Sequence, residues 1–146
     1  MVVTDLGVPA ADLPPDRIGT RSELDEVVAG IRATGGDASA CLLDVRNEAQ
    51  VKDAVAFARA TYGGLDILVN NAGIEKHAPF WDVAEADYDK VLDVNLKGAF
   101  FATQAMVRHL MAGKRGGRII NLSSVHEEVP FPNFAAYCVS KGGMRM

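Results

Sequence analysis

Short apolar runs alternate along this chain with longer stretches in which apolar residues recur every three or four positions. The runs read as buried strands and the stretches as amphipathic helices, so the alternation predicts strand–helix units around a parallel sheet. "MVVTDL" at the start is a strand by this reading. Segment 7–22 holds three prolines and two glycines and reads as a loop. Residues 23–36 set Leu24, Val27, Val28 and Ile31 on one helical face and end on a glycine pair. "ASACLLDV" (38–45) is the next strand. Residues 47–64 carry Val51, Ala54, Val55, Ala58 and Tyr62 at helical spacing, again closed by glycines. "DILVNNAG" (66–73) is a strand running into a turn. Residues 82–114 are helical, with Asp82 and Glu85 spaced as a capping box and a break expected near Asn95 to Gly98. "GRIINLSS" (117–124) is a further strand, and a last helix is expected from about Asn133. Neither internal repeats nor low-complexity tracts interrupt the pattern, which fits one domain or part of one.

Composition narrows the class. The chain has 146 residues, 49% hydrophobic and 23% charged, a globular balance long enough to bury a core. A net charge of -4 and a pI near 5.3 argue against nonspecific binding to nucleic acid or acidic membranes. Cys41 and Cys138 have no metal-ligand spacing and read as free thiols of a reducing cytosol. No basic leader precedes an apolar stretch, and no apolar run approaches the roughly 20 residues that cross a bilayer. A soluble, cytoplasmic protein is the expectation.

Candidate chemistry gathers near the end. Tyr137 and Lys141 are four apart, hence one turn apart on the same helical face. A free tyrosine, with a pKa of about 10, exchanges protons poorly near neutrality, and a neighbouring ammonium favours the phenolate. Such a phenol can protonate a carbonyl oxygen or deprotonate an alcohol. Ser124, expected at a strand end, can return to the same pocket and hydrogen-bond the reacting oxygen. No histidine is placed to make it a nucleophile. Tyr-x-x-x-Lys alone is a weak signal, since a tyrosine often packs beneath a lysine stem.

Three further motifs, "NNAG" (70–73), "VNLKG" (94–98) and "NLSS" (121–124), stand in order before "YCVSK" (137–141). As a set they resemble the short-chain dehydrogenase/reductase family over essentially the whole chain. The resemblance implies a Rossmann-like, doubly wound parallel sheet of the α/β class, and hydride transfer between NAD or NADP and an alcohol or carbonyl. It implies Tyr137 as acid/base, Ser124 as the group steadying the substrate oxygen, and Lys141 as partner of both the tyrosine and the nicotinamide ribose. Asn95 would link the lysine to solvent. Asn71, Ala72 and Gly73 would lie along the cofactor, with Asp44 and Val45 by the adenine. Duller readings exist: Asn70 and Asn71 as turn residues, Asn95 as a local helix-kink residue, Asp44 as a helix N-cap.

Asp5, at the end of what would be the second strand of such a fold, suits ribose hydroxyls and repels a 2′-phosphate, which favours NAD over NADP. Arg17 and Arg21 pull the other way, since either can reach a phosphate. "NNAGIE", "SSVHEEVPFP" and "YCVSKGGM" are most similar to the bacterial glucose 1-dehydrogenase branch. In that light Glu75 and His126 line a sugar pocket; otherwise both are exposed loop residues. The 3-oxoacyl-carrier-protein reductase branch is the alternative, and sugar-nucleotide epimerases, which share Tyr-x-x-x-Lys, lack "NNAG". Stretch 88–111 would pair subunits into a homodimer or homotetramer, the bland alternative being a helix packed only on its own sheet.

Family members open with a strand and a glycine-rich TGxxxGxG turn that seats the pyrophosphate on a helix N-terminus. No such turn occurs here, and later strands are lacking as well, so the fold is expected to be incomplete. In the 3-2-1-4-5-6 strand order the lacking first strand lies between the second and fourth. Its loss is expected to leave two separate strand pairs with exposed edges and a chain that is not a competent enzyme by itself. The other class of reading is a noncatalytic binding or scaffolding piece.

Overall fold

The computed structural model describes residues 1–7 and 19–146. They form two compact units, Met1–Leu65 and Asp66–Met146. The predicted loop lies largely outside the described residues, and Arg17 lies there entirely.

In the first unit, strand β1 (Val2–Asp5) pairs in parallel with β2 (Ser39–Leu42), Val2 opposite Ser39 and Asp5 opposite Leu42. Parallel neighbours need a long crossover, which helix α1 (Arg21–Ala33) supplies. Its start is fixed by a capping box that the sequence reading missed. Glu23 N–H donates to Thr20 Oγ1 at 3.2 Å, and Thr20 N–H donates back to Glu23 Oε2 at 2.7 Å. These hydrogen bonds hold the Glu23 carboxyl below its ordinary pKa. Leu24 and Val28 are buried as expected, but Val27 is 51% exposed. Leu24 and Val28, four apart, set the buried stripe, and Val27 lies at its edge. Helix α2 (Glu48–Tyr62) is capped by Asn47, whose Oδ1 accepts from Ala49 N–H and Gln50 N–H, and ends at Gly63 in the left-handed region. Val51, Ala54 and Ala58 form its buried face.

In the second unit, β3 (Ile67–Asn70) and β4 (Arg118–Asn121) are again parallel, with Asn70 opposite Asn121. The crossover is one long helical path: α3 (Glu85–Leu92), a π-helical turn over Asp93–Gly98, then α4 (Ala99–Ala112). The expected break at Asn95–Gly98 is therefore a widened turn and not a cut. Gly98 keeps right-handed helical angles, and the extra residue is absorbed without interrupting the path. The expected Asp82–Glu85 capping box does not form. Asp82 closes a short 3₁₀ turn, Phe80–Asp82, by donating its N–H to Pro79 O at 2.9 Å. Val83 is extended, and α3 starts after Ala84, which makes Glu85 its first residue and not its third. The last helix, α5 (Ala135–Arg145), begins two residues later than expected because Asn133 sits at φ 69°, outside the helical region. Ile74, Val91, Val94, Met106 and Ala136 are buried in this unit.

The strand partition matches the expectation of two separate pairs. Ile67, Val69 and Ile120 are about half exposed, an unusual state for apolar strand residues in an α/β fold. No helix among the described residues is long and apolar enough to cross a membrane.

Candidate active site

Several candidate residues end or follow the strands on their carboxyl side, where open α/β sheets bind ligands. In the first unit, Asp5 ends β1 and Asp44 and Val45 follow β2. Asp5 Oδ1 accepts from Gly7 N–H at 3.3 Å, and Asp5 O accepts from Leu43 N–H at 2.8 Å. Asp44 is no helix cap, since Asn47 has that role. Its carboxylate accepts guanidinium bonds from Arg46, among them Nε to Oδ1 at 3.0 Å and Nη2 to Oδ2 at 2.7 Å. Those bonds hold the Asp44 carboxyl below the ordinary aspartate value. Arg21 lies along α1 with Nε 2.9 Å from Asp25 Oδ2.

In the second unit, β3 hands over directly to the remaining candidates. Asn70 is buried and donates both amide protons, to Thr103 Oγ1 at 3.1 Å and Asn121 Oδ1 at 2.8 Å. It is a tie between the strand ends and α4, a role its turn-forming chemistry did not announce. Asn71, Ala72 and Gly73 follow as exposed residues. A Cβ on Gly73 would lie 3.5 Å from Asn95 Oδ1 and 3.8 Å from Lys141 Nζ, so this exposed stretch runs beside both groups.

Asn95 is fully buried in the π turn. Its Oδ1 accepts from Ile74 N–H at 2.8 Å, and its Nδ2 donates to Ile74 O at 2.9 Å and to Ser140 Oγ at 3.0 Å. The kink reading is thereby corrected, because the partners are distant in sequence. Ser124 stands three residues past β4 and caps a 3₁₀ turn, Val125–Glu127, with Oγ accepting from His126 N–H at 3.3 Å. Ser123 Oγ, next to it, is buried with no hydrogen-bond partner among the described residues, a local cost typical of functional sites.

Helix α5 brings Tyr137 and Lys141 together as their spacing predicts, with Lys141 Nζ 5.6 Å from the centroid of the Tyr137 ring. Lys141 is buried, which holds its ammonium below the usual lysine value. Among the described residues its hydrogen-bond acceptor is Leu122 O at 2.7 Å, two residues before Ser124. An ammonium has three protons, so two remain for a ligand.

Rings that the sequence reading did not connect surround Tyr137. His126 meets it edge-on at 5.6 Å and Phe134 lies 6.3 Å away. His126 also contacts Phe131 at 4.5 Å and Phe134 at 4.9 Å. His126 Nδ1 lies 3.1 Å from Val129 O, and since a carbonyl only accepts, Nδ1 carries the proton and Nε2 is the acceptor of the neutral ring. Glu75 Oε1 lies 3.7 Å from His77 Nε2, and the His77 ring lies 4.2 Å from that of the other histidine's neighbour, Phe134, tilted by 48°. Phe134 thus links Glu75's partner to His126, although it lay in no motif. No metal-binding cluster of histidine, cysteine and carboxylate side chains occurs among the described residues.

Parallel strand pairs joined by helical crossovers, with polar groups gathered past their carboxyl ends, define a Rossmann-like α/β architecture of the nucleotide-binding kind. A family model described as short chain dehydrogenase matches residues 18–146, and the chain belongs to that family. It is 42% identical over 121 residues to 3beta-hydroxysteroid dehydrogenase 1 of Eggerthella lenta, covering 83% of this chain and 46% of that protein. It is 37% identical over 122 residues to gluconate 5-dehydrogenase of Gluconobacter oxydans, covering 84% and 47%. A solved gluconate 5-dehydrogenase from Burkholderia cenocepacia, in complex with NADP and tartrate, superposes with a TM-score of 0.83 at 34% identity, covering 99% of this chain and 51% of that one. The chain spans about half the length of the relatives it matches.

Proposed function

We propose that the protein carrying this chain is an NAD(P)-dependent oxidoreductase that interconverts an alcohol and a carbonyl, with a sugar such as glucose or a sugar acid as substrate. The observation that carries this reading is the pairing on α5: a buried lysine anchored on Leu122 O and set 5.6 Å from the centroid of the Tyr137 ring. Tyr137 gives or takes the proton at the substrate oxygen, and the Lys141 ammonium stabilises the negative charge that develops there. Ser124 Oγ, with its own proton still to donate, steadies the same oxygen. The nicotinamide, when bound, supplies the hydride acceptor or donor.

The exposed residues Asn71, Ala72 and Gly73 and the two remaining Lys141 protons suit a nucleotide, with Asn95 holding the framework behind them; in the first unit, Asp44 and Val45 suit an adenine. Asp5 supports NAD over NADP, with NADP still within reach. Glu75, His77 and the Nε2 acceptor of His126 are polar partners for a polyhydroxylated substrate, and the similarity to gluconate 5-dehydrogenases supports that chemistry. The aromatic wall of Phe131 and Phe134 favours a second reading, a flat apolar alcohol, which the steroid dehydrogenase relative also supports. The helical path of α3 and α4 exposes Phe100 and Met111, which supports subunit pairing into a homodimer or homotetramer. The free thiols of Cys41 and Cys138 support a cytoplasmic site. The two units are best read as parts of one dinucleotide-binding domain.

The test is a panel of glucose, gluconate, a 3-oxoacyl thioester and a 3-hydroxysteroid, each with both nucleotides, on the full-length reading frame. Turnover of glucose or gluconate that disappears in Tyr137→Phe supports the reading. Turnover of the steroid alone transfers it to the second, and turnover of none of the four removes both.

A further inference from the structure

The catalytic helix is fixed to the π turn through a hydroxyl that has no role in the proton chemistry just described. Ser140 is fully buried. Its Oγ donates to Tyr137 O at 2.7 Å and accepts from Asn95 Nδ2 at 3.0 Å. The direction of each bond is forced, because an amide nitrogen only donates and a carbonyl only accepts. The Asn95 amide is likewise fixed in one orientation. Turned over, it would set Oδ1 against Ile74 O, acceptor against acceptor, and Nδ2 against Ile74 N–H, donor against donor. One continuous chain of bonds therefore runs from the loop after β3, through the π turn, into the helix that carries the tyrosine and the lysine.

Packing repeats the connection one turn on. A Cβ on Gly143 would come within 2.8 Å of Leu96 Cδ2, so α5 approaches the π turn closely there. Ala136, Ser140 and Gly143 lie at i, i+4 and i+7, a face of small residues, and Ala136 and Ser140 on it are buried. Tyr137 and Lys141 occupy the adjoining face. Whatever sets the rotation of α5 about its axis also sets where the phenol and the ammonium point.

We propose that Ser140 is a positioning residue: its hydroxyl latches α5 to Asn95 and so fixes the rotation that aims Tyr137 and Lys141. This inference rests on the oxidoreductase reading above, and it adds a residue whose side chain touches neither substrate nor nucleotide. Ser140→Ala keeps the small face and the helix while deleting both bonds of the hydroxyl. Misaiming a reacting group by about 1 Å costs up to about 100-fold in rate. Of the proposed nucleotide contacts only that of Lys141 depends on the latch, so nucleotide binding is affected less than kcat.

The experiment compares wild type, Tyr137→Phe and Ser140→Ala in the full-length reading frame. It measures kcat, the nucleotide KM, the pH–rate profile, the melting temperature and amide hydrogen exchange at Ile74. For Ser140→Ala the expected result is a kcat lower by about 10- to 100-fold, a nucleotide KM within about threefold of wild type, and a displaced pH–rate profile. Ile74 exchanges faster, because the Asn95 amide has lost one of its anchors. Wild-type kcat and profile in Ser140→Ala, with Tyr137→Phe inactive, overturn the latch and leave the proton chemistry standing. A fall in kcat that comes with a lower melting temperature and unchanged Ile74 exchange also overturns it, as a general packing loss. Full activity in Tyr137→Phe instead overturns the reading on which the latch depends.

Discussion

The ammonium of Lys141 donates to the carbonyl oxygen of Leu122 at 2.7 Å, tying the helix that carries Tyr137 to the segment that leads from β4 into Ser124. A single hydrogen bond thus connects two motifs, "NLSS" and "YCVSK", that are separate in sequence. It also keeps a cation inside the fold, and burial of that cation has a measurable consequence.

Because burial lowers the Lys141 pKa, the folded protein holds this proton less tightly than the unfolded chain does. The unfolded chain therefore binds more protons in the window between the lowered value and the ordinary lysine value, and stability from this group rises with pH there. The destabilisation is fully present below the window. Wild type should gain stability relative to Lys141→Met over the pH range that leads up to the ordinary lysine value of about 10.4. Thermal unfolding of both proteins across that range reads the difference, and a flat difference would contradict the burial effect.

Removing the phenolic hydroxyl removes the proposed acid/base. Tyr137→Phe should lower kcat by about 100- to 10,000-fold, the usual reach of general acid–base catalysis, while nucleotide affinity changes little. Steady-state turnover and nucleotide titration on the same preparation separate the two effects.

The Asp44–Arg46 pair predicts acid sensitivity in the first unit. Its depressed carboxyl contributes stability that is present above the ordinary aspartate value and lost as pH falls through the folded value. Asp44→Asn should cost about 1 kcal/mol at neutral pH, since the pair is only partly shielded from water. The cost should vanish in acid, which denaturant titrations at neutral and low pH will show.

Asp5 is expected to control the choice of nucleotide. Asp5→Ala deletes both an acceptor for ribose hydroxyls and a charge that repels a 2′-phosphate, so the NAD:NADP ratio of kcat/KM should shift toward NADP by about tenfold. An unchanged ratio places selectivity elsewhere.

Met106 is fully buried in α4 and makes a clean probe of the second unit's core. Met106→Ala should destabilise by about 2 to 5 kcal/mol, the range for large-to-small core changes. Equilibrium denaturation measures it, and a loss below that range means the site collapses around the cavity.

Local rules decided a good deal by themselves. Alternation of apolar runs and helical stretches is a property of neighbours in the chain, so the strands and helices lie near where the pattern put them. The i, i+4 spacing of Tyr137 and Lys141 guaranteed their approach once α5 formed. Helix starts were less legible, because a capping residue acts only if the chain before it is extended in the right way. Asp82 and Glu85 had the spacing of a capping box without that geometry, while Thr20 and Glu23 had both.

Relations between residues distant in sequence were settled only when the chain folded. Asn95 bonds Ile74 and Ser140, Asn70 ties β3 to α4 and β4, and Phe134 joins the rings of His77 and His126. None of these pairings has a periodicity or spacing to betray it, because each depends on how two elements meet. The sequence by itself indicated which residues are candidates for chemistry and what elements hold them. The tertiary structure alone decided which way those groups face, since burial and hydrogen-bond direction arise only between surfaces brought into contact.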